Sequence, residues 1–203
     1  MDLEALSPAE HWRALHEAYL ADSKVLLSGR RDAAAVLILT TLLDAAAAFL
    51  TGRERERGIG ESWQAFAERF LPEFTRVSFG DLVFSYAADK DIPVRDTAHL
   101  LYCCFRNGLV HEGGLPTGFR IIRSSDGLQY CVSAADGAME VNVIALHQIV
   151  QAACDRFTEW LHEDPNATVL YSARLRYLAR RRFRKARVTP RSGDSPRHAL
   201  RSV

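Results

Sequence analysis

The chain has 203 residues, with hydrophobic types at 48% and charged types at 25%, a balance that excludes the disordered and collagen-like classes and suits one domain with an extension. Its formal charge of +1 conceals a partition: residues 171–203 hold 11 Lys or Arg against the single acid Asp194, leaving 15 bases against 24 acids in the rest. Such a basic block attracts phosphate backbones or acidic surfaces through counterion release, or else forms a last helix with a solvated Arg face.

Four cysteines, Cys103, Cys104, Cys131 and Cys154, are too few and too irregularly spaced for a disulfide framework and form no C-x-x-C pair for structural zinc. They read as reduced core residues of a cytoplasmic protein. The first residues, MDLEALSPAEHWRAL, are acidic and amphipathic and lack the basic start and apolar run of a secretory signal.

In chain order, Ser7 is an N-cap and Pro8 the first residue of a helix with Trp12, Leu15, Tyr19 and Leu26 near helical spacing, ended by Gly29. Asp32 caps a second helix that stops near Gly52. Its stretch 33–50, AAAVLILTTLLDAAAAFL, meets the minimum length of a membrane span. Seven alanines, two threonines and a central Asp44, with arginines on both flanks, make it instead the buried central helix of a bundle. A charged loop, GRERERGIGE, precedes a third helix at about 62–71, ending before Pro72, and a fourth at about 79–89.

After Pro93 a fifth helix carries TAHLLYCCFRNGLVHE and stops at Gly113-Gly114. Short β-branched segments separated by Ser-Asp-Gly and Ala-Asp-Gly then predict a small antiparallel β-meander at about 118–143. The helical period resumes from Val143 to about His162, Asp164-Pro165 marks a break, and a final Arg-rich helix starts near Thr168. No packing pattern follows Val188, where a disordered tail is expected. The fold class is mainly α: a helical bundle over 1–170 with one β insertion, and a basic helix and tail over 171–203.

The fifth helix ends on Arg106, Asn107 and His111. On an α-helix Asn107 and His111 share a face, whereas Arg106 is turned roughly 140° from His111 and must reach around. Arg offers planar donors to phosphate oxygens, Asn an orienting amide, and His a proton shuttle near neutral pH, a set that needs no metal. The helix dipole favours protonated His111. The alternative is an ordinary polar helix end. Asp44, alone inside an apolar helix, needs a cation or donor; Arg106 or His111 would serve, and so would any other Arg.

The run Arg106-Asn107-Gly108-Leu109-Val110-His111 resembles the Arg-x(4 to 6)-His motif of the HEPN superfamily (higher eukaryotes and prokaryotes nucleotide-binding). The resemblance implies a four- or five-helix bundle that dimerises, so that two motifs form one metal-independent RNA-cleaving site without a cofactor. It makes Arg106 and His111 the catalytic pair and Asn107 a positioning residue. Asp44 would be the polar group that members often carry on an earlier helix. Arg180, Arg181, Arg182, Arg184 and Lys185 would bind RNA. The implied partners are RNA, a second copy and an antitoxin or defence-system component, with no membrane. Gly113 stands where one toxin group carries a modified Tyr, which argues against that mode of control. The alternative within the superfamily is a non-catalytic module that binds a nucleotide or protein.

Overall fold

The computed structural model describes residues 6–53, 59–76, 83–86, 90–93, 95–115, 117–124, 131–133 and 138–185. Helix α1 (Pro8–Ser28) opens on a capping box in which Ser7 Oγ accepts from the Glu10 amide and Glu10 reaches back to the Ser7 amide. Its apolar stripe buries Trp12, Leu20 and Leu27. Helix α2 (Asp32–Leu50) is long and apolar enough to cross a membrane. In the fold it is the central helix, packed on α1, α3 (Ile59–Phe70), α6 (Val143–Glu163) and α7 (Pro165–Lys185).

Asp32 does not cap α2 through its side chain. It is the first helical residue, and its carboxylate pairs with Arg123, which also donates to the Leu27 carbonyl. A capping oxygen serves its own helix; this one instead ties Arg123, far along the chain, to the α1–α2 corner. Aromatic rings fill the space around α2: Trp12 meets Phe157 edge-on at 5.0 Å, and Phe49 stacks on Tyr171 of α7 at 4.0 Å.

A short helix α4 (Pro72–Thr75) follows α3. Of the helix expected at 79–89, only residues 83–86 are described, and they are extended instead. They form β1 (Val83–Tyr86), antiparallel to β2 (Lys90–Pro93), with Val83 opposite Pro93. Val83, Phe84, Tyr86 and Ile92 are strand-forming types, and Pro93 costs no central ladder bond in a two-stranded sheet.

The second sheet corrects the predicted meander. Its order is β3 (Phe119–Ile122), β5 (Met139–Asn142), β4 (Cys131–Ser133), with β3 parallel to β5 and β4 antiparallel to β5. Asp-Gly chemistry marks where a chain turns, but not which strands become neighbours. β5 takes the centre because Met139 and Val141 are buried and its end, Asn142, caps α6 by accepting from the Ile144 amide at 3.1 Å. The last helix begins at Pro165 rather than near Thr168: proline is at home in the first helical turn, and Asp164 accepts from the Asn166 amide at 2.9 Å. Tyr171 of this helix is fully buried. The sequence after Lys185 lies outside the described residues.

Candidate functional site

The segment that carries the motif starts as α5 (Thr97–Leu100), where Asp96 accepts from the His99 amide at 2.8 Å. It then widens into π-helical turns, π1 (Leu101–Arg106) and π2 (Gly108–Glu112), joined at Asn107. The Asn107 amide donates to the Tyr102 carbonyl, five residues back. Two fixed packings hold the segment. Trp63 Nε1 of α3 donates to the Ala98 carbonyl at 2.9 Å, and Phe105 meets Phe119 of β3 edge-on at 5.6 Å. Gly113 ends it in the left-handed region, at φ 68°.

This geometry corrects the α-helical expectation. An i→i+5 helix takes more residues per turn than an α-helix, which changes the angle between positions five apart. The wider π-turns set the backbone positions of Arg106 and His111 at a smaller angle than the roughly 140° of an α-helix. The side chain of His111 lies outside the described residues.

Asp44 of α2 meets the motif. Its Oδ2 accepts from Arg106 Nε at 2.9 Å and Nη2 at 2.8 Å, and both side chains are largely buried, 15% and 17% exposed. Arg106 Nη1 donates to Asn107 Oδ1 at 2.9 Å, and its guanidinium lies 5.8 Å from the Tyr102 ring centre. Burial pushes the Asp44 carboxyl up from its ordinary value, outweighing the opposing pull of Arg106 and, further off, Arg53. Asp44 Oδ1 is buried without a hydrogen-bond partner. The structure thus brings Asp44, Arg106 and Asn107 into one cluster.

Two members of its surroundings had no local signal in the sequence. Tyr102 is half-buried, and its phenol is raised by burial, against the pull of Arg106. Arg53 follows α2 in what reads as a charged loop, yet its charge reaches both Asp44 and Tyr102. Of the basic residues assigned to RNA, Arg180 is exposed and Arg181 half-buried on α7. The side chains of Arg182, Arg184 and Lys185 lie outside the described residues.

Among the described residues no group of three or more His, Cys, Asp or Glu side chains could hold a metal ion. Cys103, Cys104 and Cys154 are buried cysteines, and burial pushes the Cys103 thiol up to about 11, which leaves it protonated and unreactive at neutral pH.

Fold and site define a mainly helical protein whose central helix delivers a buried carboxylate to an Arg-Asn pair on π-helical turns. Compared with models of known protein families, with curated proteins and with solved structures, the chain has no significant match to any of them.

Proposed function

We propose that this chain is a metal-independent endoribonuclease of the HEPN type, working as a cytoplasmic homodimer without a cofactor. The observation that carries the reading is the setting of Arg106: a planar cation oriented by buried Asp44 and by Asn107, on π-helical turns that also carry position 111. π-turns inside helices recur at functional sites, and a cation held from behind is pre-organised for an anionic transition state.

In the proposed reaction the ribose 2′-oxygen forms a bond to phosphorus while the bond from phosphorus to the 5′-oxygen breaks. His111 of one copy takes the 2′-hydroxyl proton and His111 of the second copy returns one to the leaving oxygen. Arg106 stabilises the charge that gathers on the phosphoryl oxygens. The products are a 2′,3′-cyclic phosphate and a 5′-hydroxyl. Arg180, Arg181, Arg182, Arg184 and Lys185 supply sequence-independent RNA affinity with a steep salt dependence. An antitoxin or defence-system partner would restrain such an activity.

The second reading is a non-catalytic HEPN-like module. One observation favours it: Arg106 Nε, Nη1 and Nη2 all bond within the chain, as in a structural anchor.

The test is incubation of the purified protein with structured and single-stranded RNA in EDTA, beside His111→Ala. Cleavage leaving cyclic phosphate ends, lowered about 100-fold or more in the variant, is the expected result. Equal cutting by the variant removes His111 from the chemistry. RNA that is bound but never cut selects the module.

A further inference from the structure

A second cation, Arg53, acts through its charge on Asp44 and Tyr102 of the cluster, and two of its donor atoms are unsatisfied. Arg53 comes three residues after the end of α2, beyond Gly52, which turns the chain in the left-handed region at φ 60°. Its backbone is clamped from α7: Leu170 packs on Gly52, and Arg174 Nη1 donates to the Arg53 carbonyl at 2.7 Å. The side chain is treated differently. Nε and Nη1 of Arg53 are buried and have no hydrogen-bond partner.

The obvious partner is within electrostatic reach and still does not close the gap. Asp44 feels the charge of Arg53, but its Oδ2 is occupied twice by Arg106 and its Oδ1 remains unpartnered. Among the described residues, the cluster of Asp44, Arg53, Tyr102 and Arg106 therefore sets two guanidinium groups against one carboxylate. Buried guanidinium donors left unmade are unfavourable, and an anion brought to them would supply the missing acceptors. Guanidinium donors suit phosphate oxygens, and the exposed Arg176 and Arg180 continue the positive charge along α7 from the point where Arg174 holds Arg53.

We infer that Arg53 binds a phosphate of the ribonucleotide chain next to the one handled by Arg106, as a substrate-positioning residue. The inference rests on reading the motif end as a phosphodiester site, but it is tested without turnover.

The probe is a single-stranded 2′-O-methyl RNA oligonucleotide, which binds but offers no 2′-hydroxyl to react, titrated into the full-length protein over a salt series. Arg53→Met keeps the aliphatic stem and removes the donors. It is expected to unfold at the same temperature or higher, to bind about tenfold more weakly, and to flatten the slope of log K against log salt by about 0.7, one single-strand phosphate contact. Arg53→Lys is expected to keep the slope and recover part of the affinity. Unchanged affinity and slope in Arg53→Met overturn the inference. So does a lower unfolding temperature with unchanged binding below it, which would make Arg53 a structural residue.

A second measurement needs no loss of side chain. The Arg53 Nε–H resonance of the wild-type protein, assigned by its disappearance in Arg53→Lys, should move saturably on addition of inorganic phosphate at constant ionic strength. A stationary resonance overturns the assignment. Wild-type protein that binds through Arg53 and cleaves nothing refutes the ribonuclease reading while leaving this one standing.

Discussion

Arg106 and Asp44 lie 62 positions apart in the chain, and both are mostly withdrawn from water. Removing one partner of such a pair leaves the other desolvated without compensation, at a typical cost of about 3 to 5 kcal/mol. Arg106→Ala is therefore expected to lower the unfolding free energy by about 3 kcal/mol at neutral pH. The sign of its pH dependence follows from the carboxyl, which burial already raises above 3.8 with Arg106 in place. Without the guanidinium the folded-state value rises further, so the penalty is full at pH values above it and shrinks as acid protonates Asp44. Urea denaturation of wild type and variant from pH 7.5 down to 4.5 checks this; a constant difference would show that Asp44 is not the group left exposed by the substitution. Loss of cleavage in Arg106→Ala is thus interpretable only beside its stability. Reading residues singly, the sequence could say that Asp44 needs a partner. Which of many arginines meets it depended on packing between α2 and π1.

At the scale of elements, the seam between α2 and α7 positions the site from behind. Gly52 is left-handed, and a Cβ there would stand 3.1 Å from Leu170 Cδ2 and 3.2 Å from its carbonyl oxygen. The left-handed conformation alone costs an L-residue roughly 1 to 2 kcal/mol, and the contact with Leu170 adds to it. Gly113 is also left-handed, at φ 68°, but a Cβ there meets nothing within 4 Å. Both Gly→Ala variants should lose stability in chemical denaturation, Gly52→Ala by more. Equal losses would mean that α7 yields freely at the seam. The long helices were legible because caps, prolines and apolar periodicity are signals within a few residues, as at Ser7-Pro8. The strands were not. The pairing of β1 with β2 and the parallel pairing of β3 with β5 depend on which segments find each other, and local turn chemistry is silent about that.

Across the whole molecule, the interface of α1 and α6 holds two buried histidines. His147 Nδ1 lies 2.9 Å from Ser23 Oγ, and His16 Nε2 lies 3.9 Å from Asp155 Oδ1. Burial lowers both from the ordinary 6.5, in the case of His16 against the pull of Asp155. A group with a depressed folded-state value contributes stability above its unfolded value and loses it as pH falls through the folded one. The fold should therefore weaken below about pH 6.5, and His147→Gln should make that loss shallower. Thermal unfolding at pH 7.5 and 5.5 measures it, and a wild-type midpoint that does not fall would contradict the burial of both rings.

By itself the sequence determined the mainly helical class, the central buried helix, the basic end of the chain and the run Arg106-Asn107-Gly108-Leu109-Val110-His111, because composition, caps and periodicity act over neighbouring residues. Only the tertiary structure decided that this run is π-helical, that Asp44 rather than another acid holds Arg106, and that Arg53 acts on Asp44 through its charge with donors unmade. Those outcomes depend on which charges are desolvated together and which helix leans on which, and desolvation belongs to the assembled core.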